Sequence, residues 1–543
     1  MQAPTGTARP DGRDTATDRP THMQAPQPSI SGTRDYAGRD AVALQTARDA
    51  IDAALRRYGY AAIDPPILES PLPFLNRSGE DIRRQMYIFP DPGGREVCLR
   101  PELTIPVCRA YLRETQSAVQ GRRTAREREA RLSYFGPAFT YESASEGRYR
   151  QFYQAGAEYI GAQSRETADA EILAAALDCL DATGLKQTAV EIGDVDIRNA
   201  FIDNLPISER SKIRIRRIVL RNQKDPHAVL PGLLAPAAED TEQNNDFGAL
   251  ASLLASVEPG KAELLIREVF ALADVRHVGG RTPEEIVERL TSRTAQQTES
   301  ISAELIEAVM ALLNIRAEPK AAFKAIEAHF QKFRIDAVEP VLDRCEKRLR
   351  YIAAYGRRPQ AVQFNVGLRR GLEYYTGFMF EIFAEDSTQA GHVCGGGRYD
   401  NLLEGLGAGS SIPAVGFGIG LDRLLRTLQN NKASSLRAVP IPQALVTAAG
   451  TANEEQCIRI SKLLRDAGWS VEVEGSPREE KNALSYAAKR KIPFVVFAGD
   501  DSSGKHEVRI RRLDDRTEQR VTISSLPDFA KREAAKISPG GQP

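Results

Sequence analysis

Leu132-Ser-Tyr-Phe-Gly-Pro-Ala-Phe139-Thr140-Tyr141-Glu142, followed by Gln151-Phe-Tyr-Gln154-Ala-Gly-Ala-Glu158-Tyr-Ile160, decides the fold reading of this 543-residue chain. The two runs read as strands around the polar loop from Ser143 to Arg150, which predicts an antiparallel hairpin. Upstream, Ile67, Leu68 and Phe74, then Met86-Tyr87-Ile88-Phe89, a Pro-Gly-Gly turn and Glu96-Val97-Cys98-Leu99-Arg100 read as further short strands. Together they predict a large antiparallel sheet, in an α+β chain.

Helical patterns frame these strands. Val42, Leu44, Ala47, Ile51 and Leu55 recur at helical spacing between Asp40 and Tyr58, and Gly59 ends the pattern as a C-terminal cap. A second helix begins near Thr104, and Gly416-Phe-Gly-Ile-Gly-Leu421-Asp422-Arg423-Leu424 reads as a strand turning into a helix. Residues 205–355 are dominated by helix-forming patterns and are taken as an inserted helical subdomain between core segments 37–204 and 356–430. The basic run from Lys212 to Val219 reads as a solvated helix face. Residues 431–440 form a linker, and 441–530 alternate strand with helix, which implies a small sheet with parallel strands and crossover helices. Residues 1–36, poor in large apolar side chains, are expected to be a disordered tail, and 531–543 a second tail.

With 73 basic and 73 acidic residues the formal net charge is zero, so no global field draws the chain to nucleic acid or membrane. Its six cysteines are scattered without a close pair, which argues against a zinc knuckle or a disulfide framework and fits a reducing cytoplasm. No apolar run approaches the ~18 residues a membrane span needs.

Chemistry is concentrated in Leu368-Arg369-Arg370-Gly371-Leu372-Glu373-Tyr374-Tyr375-Thr376 and in Cys394-Gly395-Gly396-Gly397-Arg398-Tyr399-Asp400. Arginine matches a carboxylate with its planar fork, tyrosine hydroxyls hold polar groups, and glycines admit close backbone approach, a mixture suited to a small zwitterion. Glycines 395–397 are read as a tight hairpin serving the pocket, because no Gly-Lys-Ser/Thr follows as a phosphate loop requires.

These two segments resemble the histidine-binding segments of the histidyl-tRNA synthetase family. The 132–160 hairpin and the 416–424 segment resemble the second and third signature motifs of class II aminoacyl-tRNA synthetases, so the resemblance covers residues 40–430. It implies a class II synthetase-like antiparallel core with a helical insertion, and a looser likeness makes 441–530 an anticodon-binding-like α/β domain. Carried over by position, it implies a histidine site of Glu102, Gln154, Glu158, Arg370, Tyr375 and Tyr399. It further implies nucleotide contacts from Glu142, Arg148, Arg150 and Arg423, with Arg370 and Arg423 catalytic in a ligase; no metal ligand is assigned.

One position departs from the family. Its second motif carries an arginine after the phenylalanine, where it clamps the α-phosphate, and here that place is Thr140. Loss of one such transition-state donor costs about 3 kcal/mol. A kept amino-acid pocket with a lost clamp is similar to the synthetase-like regulatory subunit of ATP phosphoribosyltransferase, as are the phrases from Ser78, Cys98, Val278 and Tyr374. The leading expectation is therefore a non-catalytic, cytoplasmic, homodimeric histidine sensor. It needs no cofactor and partners the short-form phosphoribosyltransferase catalytic subunit in histidine biosynthesis and its feedback control. The alternative is a histidine--tRNA ligase that uses ATP and Mg2+ and binds tRNA(His), favoured by Arg423 and by the C-terminal domain; a stand-alone paralogue is a third reading.

Overall fold

The computed structural model describes residues 30–75, 83–117, 129–141, 149–221, 301–356, 361–368, 374–384, 391–430, 441–449, 454–474, 479–499 and 506–537. The chain divides into two compact units, Met1–Leu436 and Arg437–Pro543.

In the first unit, helix α1 (Arg39–Arg57) buries Ala43, Ala47, Ile51, Ala54 and Leu55 at helical spacing. It stops where Gly59 takes a left-handed φ of 79° and returns its N–H to the Arg56 carbonyl at 3.0 Å, as a glycine cap does. Strand β1 (Ala61–Ala62) follows, then β2 (Leu68–Glu69), the single-turn helix α2 (Leu72–Leu75), β3 (Ile88–Pro90) and β4 (Glu96–Leu99). Strands β2, β4 and β3 form a separate three-stranded antiparallel sheet. The expectation that these runs join one large sheet is corrected, and Phe74 lies on α2. Cys98 of β4 points inward, where Phe74, Met86 and Ile105 pack together with Ile160 and Ala414 of the large sheet.

Helix α3 (Thr104–Ser117) leads to the hairpin of β5 (Ala130–Phe139) and β6 (Gln151–Ile160), paired in register from Ala130 opposite Ile160 to Phe139 opposite Gln151. Then come α4 (Arg165–Ala182), β7 (Thr188–Asp194), α5 (Val195–Asp203), α6 (Glu209–Arg221), α7 (Ala303–Leu313), β8 (Arg316–Ala317), α8 (Pro319–Lys332), α9 (Glu339–Ala354) and β9 (Ala361–Asn365). The unit closes with β10 (Phe378–Ala384), β11 (Cys394–Arg398), β12 (Ala414–Gly420) and α10 (Leu421–Asn430). Nine strands form the sheet in the order β1-β5-β6-β12-β11-β10-β7-β9-β8, antiparallel except for the β1/β5 and β7/β9 pairs.

One face of this sheet is covered by helices. Ala155, Ala157, Phe380, Val415, Phe417 and Ile419 pack there with α1 and with α4, whose alanines at 174 to 176 are fully buried and let it approach closely. Helices α7, α8 and α9 belong to the same core, and β8 adds an edge strand. Their side chains belong to this core; of the stretch read as an inserted helical subdomain, residues 222–300 lie outside the described residues. Within the segment read as a disordered tail, residues 30–36 are described and pack on the hairpin: the Arg150 N–H donates to the Gly32 carbonyl at 2.6 Å.

In the second unit, β13 (Ala444–Ala448), α11 (Glu454–Asp466), β14 (Val471–Val473), α12 (Glu480–Lys489) and β15 (Phe494–Ala498) alternate as the sequence predicts, with β14, β13 and β15 parallel. Strands β16 (Glu507–Arg512) and β17 (Glu518–Thr522) add an antiparallel hairpin, and α13 (Leu526–Ile537) packs back on the sheet. The Trp469 indole N–H donates to the Ala530 carbonyl at 2.9 Å, fastening that helix. Residues 531–537, read as tail, continue α13, on which Phe529, Ala530 and Glu533 are buried. Among the described residues no helix is long and apolar enough to cross a membrane.

Candidate functional site

The face of the large sheet opposite its covering helices is bare of side chains at its centre. Gly397 pairs with Gly416 and Gly395 with Gly418 across β11 and β12, so two adjacent rows carry no side chain. This corrects the tight-hairpin reading of glycines 395–397, which lie in a fully buried central strand. Glycine is required by close approach on both faces. A Cβ at Gly396 meets Phe380 Cζ at 2.7 Å on the helix side, and one at Gly397 meets the Tyr375 ring at 2.8 Å on the open side.

Polar side chains stand over this floor. Glu158, fully buried, reaches from β6 over Gly416, and Gln154 reaches over Gly418, because Gln154, Gly156 and Glu158 share one face of β6. The Tyr399 hydroxyl donates to Glu158 Oε2. Glu158 Oε1 and Gln154 Oε1 are both buried without a well-formed hydrogen bond among the described residues. Tyr374 packs edge-on against Tyr399 with ring centroids 5.7 Å apart and against Tyr375 at 5.0 Å, closing one wall.

Glu102 faces Glu158 from the start of α3. Its Oε2 accepts the Thr104 N–H at 2.6 Å and its Oε1 the Ile105 N–H at 2.8 Å, so it caps that helix. Each oxygen keeps a second lone pair for a ligand donor. Burial pushes the Glu102 carboxyl up to about 7, against the pull of those two N–H groups. Burial likewise pushes Glu158 up to about 8, with the Glu102 charge adding to the shift and the Tyr399 hydroxyl opposing it. Two buried carboxyls, the charge of one raising the pKa of the other, are suited to receive a cationic donor group.

Arg423, at the first turn of α10, donates through Nη1 to the His392 carbonyl at 3.1 Å, and His392 Nδ1 lies 3.3 Å from Glu381. Its neighbour Asp422 is buried and held by three groups: the Tyr36 hydroxyl, the Tyr153 N–H at 3.0 Å and Arg34 at 3.4 Å. Thr140 is half-buried at the end of the hairpin, its N–H on the Arg150 carbonyl at 2.9 Å, while the Arg150 guanidinium lies 4.5 Å from the Tyr141 ring centre. Residues 30–36 therefore tie the hairpin to the start of α10, a link that no local pattern announced.

Of the residues singled out from sequence, Glu102, Gln154, Glu158, Tyr375 and Tyr399 come together around the glycine floor, while Arg150 and Arg423 lie on neighbouring elements. Arg370, Glu142 and Arg148 fall outside the described residues. Sequence reasoning missed Gly416, Gly418 and Asp422; the alternation of glycines in Gly416-Phe-Gly-Ile-Gly was the available signal for the first two. Among the described residues no three His, Cys, Asp or Glu side chains converge as a metal site. A cavity of about 270 Å3 lined by Arg48, Asp52, Ser133 and Phe135 lies beside α1, away from the glycine floor.

Comparison with known proteins adds to this geometry. The chain matches the family model described as histidyl-tRNA synthetase over residues 32–263 and 265–424, and the anticodon binding domain model over 443–533. It is 28% identical over 502 residues to the histidine--tRNA ligase of Pyrococcus furiosus, covering 92% of this chain and 98% of that one. It is also 28% identical over 500 residues to the histidine--tRNA ligase of Methanocaldococcus jannaschii, again covering 92% and 98%. In fold it is similar to the histidyl-tRNA synthetase from Nostoc sp. PCC 7120, with a TM-score of 0.60 at 19% identity, covering 94% of this chain and 100% of that one. A structure titled ATP phosphoribosyltransferase regulatory subunit/histidyl-tRNA synthetase, from Bacillus halodurans, gives a TM-score of 0.55 at 20% identity, covering 86% and 97%.

These findings correct the expectation of an ATP phosphoribosyltransferase regulatory subunit in histidine biosynthesis. The relatives named as ligases align through the C-terminal module, and that module matches the anticodon-binding model. The regulatory reading rested on Thr140.

Proposed function

The chain belongs to the histidyl-tRNA synthetase family, and we propose that it acts as a histidine--tRNA ligase. The observation that carries this reading is the Glu158–Glu102 pair over the glycine floor, in a chain that also has an anticodon-binding module. In this reading Glu102 meets the ammonium of histidine, Gln154 and Glu158 line the same cavity, and Tyr375 and Tyr399 meet the imidazole end. Arg370 meets the ligand carboxylate. That carboxylate attacks the α-phosphorus of ATP, pyrophosphate leaves, and a terminal hydroxyl of tRNA(His) then displaces AMP.

On the nucleotide side, Arg423 and Arg150 are the described cations that fit phosphate. The absent clamp at Thr140 is consistent with slower activation rather than with none, because positioning by the pocket is separate from charge stabilisation. ATP is used here with Mg2+ held by the phosphates rather than by a protein cage. The test is histidine-dependent ATP–pyrophosphate exchange by the purified chain, followed by charging of tRNA(His). Exchange with histidine and with no other amino acid is expected. No exchange with histidine, at any ATP concentration, sinks the proposal.

A further inference from the structure

Residues 398–400 put different chemistry on the two faces of the sheet. Arg398 and Asp400 point to the helix-covered face and Tyr399, between them, to the pocket face, as strand alternation requires. Arg398 donates through Nε to Asp169 at 2.8 Å, through Nη1 to Asp400 at 2.8 Å and through Nη2 to the Arg165 carbonyl at 3.0 Å. Asp169, on α4, is also bridged by Arg348 Nε of α9 at 2.7 Å, and Arg348 Nη1 reaches Asp194 at the end of β7 at 2.7 Å. Arg165 meets Asp400 at 2.6 Å. Arginines 165, 348 and 398 thus balance aspartates 169, 194 and 400, and Asp169, Asp194, Arg348 and Arg398 are all buried.

The backbone of this segment holds the tyrosines of the pocket. The Arg398 carbonyl accepts the Thr376 N–H at 2.7 Å, the Asp400 N–H donates to Thr376 Oγ1 at 3.0 Å, and the Tyr399 N–H donates to the Ala414 carbonyl at 2.8 Å. Tyr375 is therefore tied to the same segment that aims Tyr399 at Glu158. A buried ion network adds little net stability over apolar packing, but it fixes direction, since each guanidinium fork donates to its carboxylates in one plane. Arg348 sits far from this segment in sequence and is brought to it only by the packing of α9 on α4.

We infer that the Arg348–Asp169–Arg398 network is a positioning device for Tyr399 and Tyr375, through which α9 sets recognition of the amino acid from outside the pocket. Its kinetic test rests on the proposed ligase reading. Three variants of the full chain serve: Asp169→Asn, Arg348→Lys, and the double variant Arg348→Met with Asp194→Asn. The double variant removes one cation and one anion together, and asparagine keeps the helix cap that Asp194 gives to the Asp196 N–H.

Exchange kinetics give KM for histidine and for ATP separately, and thermal melting reports stability. The double variant is expected to melt close to the unaltered chain, with KM for histidine raised tenfold or more and KM for ATP changed less than twofold. Arg348→Lys, which keeps charge but not the fork, gives a smaller rise. If KM for histidine stays within twofold in Asp169→Asn and in the double variant, the network serves packing alone and the inference is overturned. Should the unaltered chain show no exchange, the ligase reading fails and amide hydrogen exchange across residues 394–400 decides: faster exchange in the double variant upholds the inference, and unchanged exchange overturns it.

Discussion

Replacing Gly416 by alanine adds one methyl group at the centre of the candidate pocket. Gly416 is the cross-strand partner of both Glu158 and Gly397. An added Cβ overlaps Glu158 Oε2 and stands 2.5 Å from Glu158 Cδ and 2.8 Å from the Ala157 carbonyl oxygen. Carbon contacts settle at about 3.5 Å or more, so the carboxyl must retreat by about 1 Å. Its hydrogen bond from Tyr399 does not survive that shift, because O–H···O bonds span only about 2.5–3.0 Å. Overpacking of this kind costs about 1–3 kcal/mol. Calorimetric titration with histidine should therefore show affinity weakened about 10- to 100-fold, since each 1.4 kcal/mol is a factor of ten. Gly420→Ala, on the same strand with nothing within 4 Å of its Cβ, is the internal control and should bind as the unaltered chain does. Equal histidine affinity in both variants would refute the placement of Glu158 as a pocket wall.

The carboxyl pair makes binding proton-linked. Glu158 at about 8 and Glu102 at about 7 lie above their unfolded values, so the stability they contribute is full below the ordinary carboxylate range and is lost as pH rises through 7 to 8. The ligand-free chain should therefore lose melting temperature from this source between pH 5 and 8. Histidine, which needs the ionised forms, should release about one proton per molecule bound at pH 7. Calorimetry in two buffers of different ionisation heat measures this release, and an unchanged value in Glu158→Gln contradicts the assignment. Arg423→Met should raise KM for ATP about tenfold and leave KM for histidine unmoved; the reverse split would remove Arg423 from the nucleotide side. Thr140→Arg should raise the exchange kcat by up to about a hundredfold, the size of one restored transition-state donor; an unchanged or lowered kcat would remove position 140 from the phosphate side.

Local rules made much of the fold legible. The α1 stripe with its Gly59 cap, the hairpin read over Leu132–Glu142 and Gln151–Ile160 and the alternation from Ala444 to Ala498 each follow from periodicity within a single element, and the structure shows each of these elements, with ends that differ by up to four residues. Glycines 395–397 did not follow from such a rule. A glycine run signals a turn when read locally, but here Phe380 and Tyr375 press on opposite faces of a central strand, and only glycine leaves room. Nor could the sequence show that Arg509 pairs with Glu480 and Glu518, and Arg512 with Asp514.

The sequence by itself determined the family and the main local elements, α1, the β5/β6 hairpin and the alternation of the second unit. Residue type and spacing are local quantities, and they survive without coordinates. The tertiary structure alone decided that Glu158 faces Glu102, that residues 30–36 fasten the hairpin to Asp422, and that Arg348 of α9 reaches Asp169 and Asp194. Each of these joins segments far apart in the chain, and their charges acquire direction and altered protonation only after packing has excluded water around them.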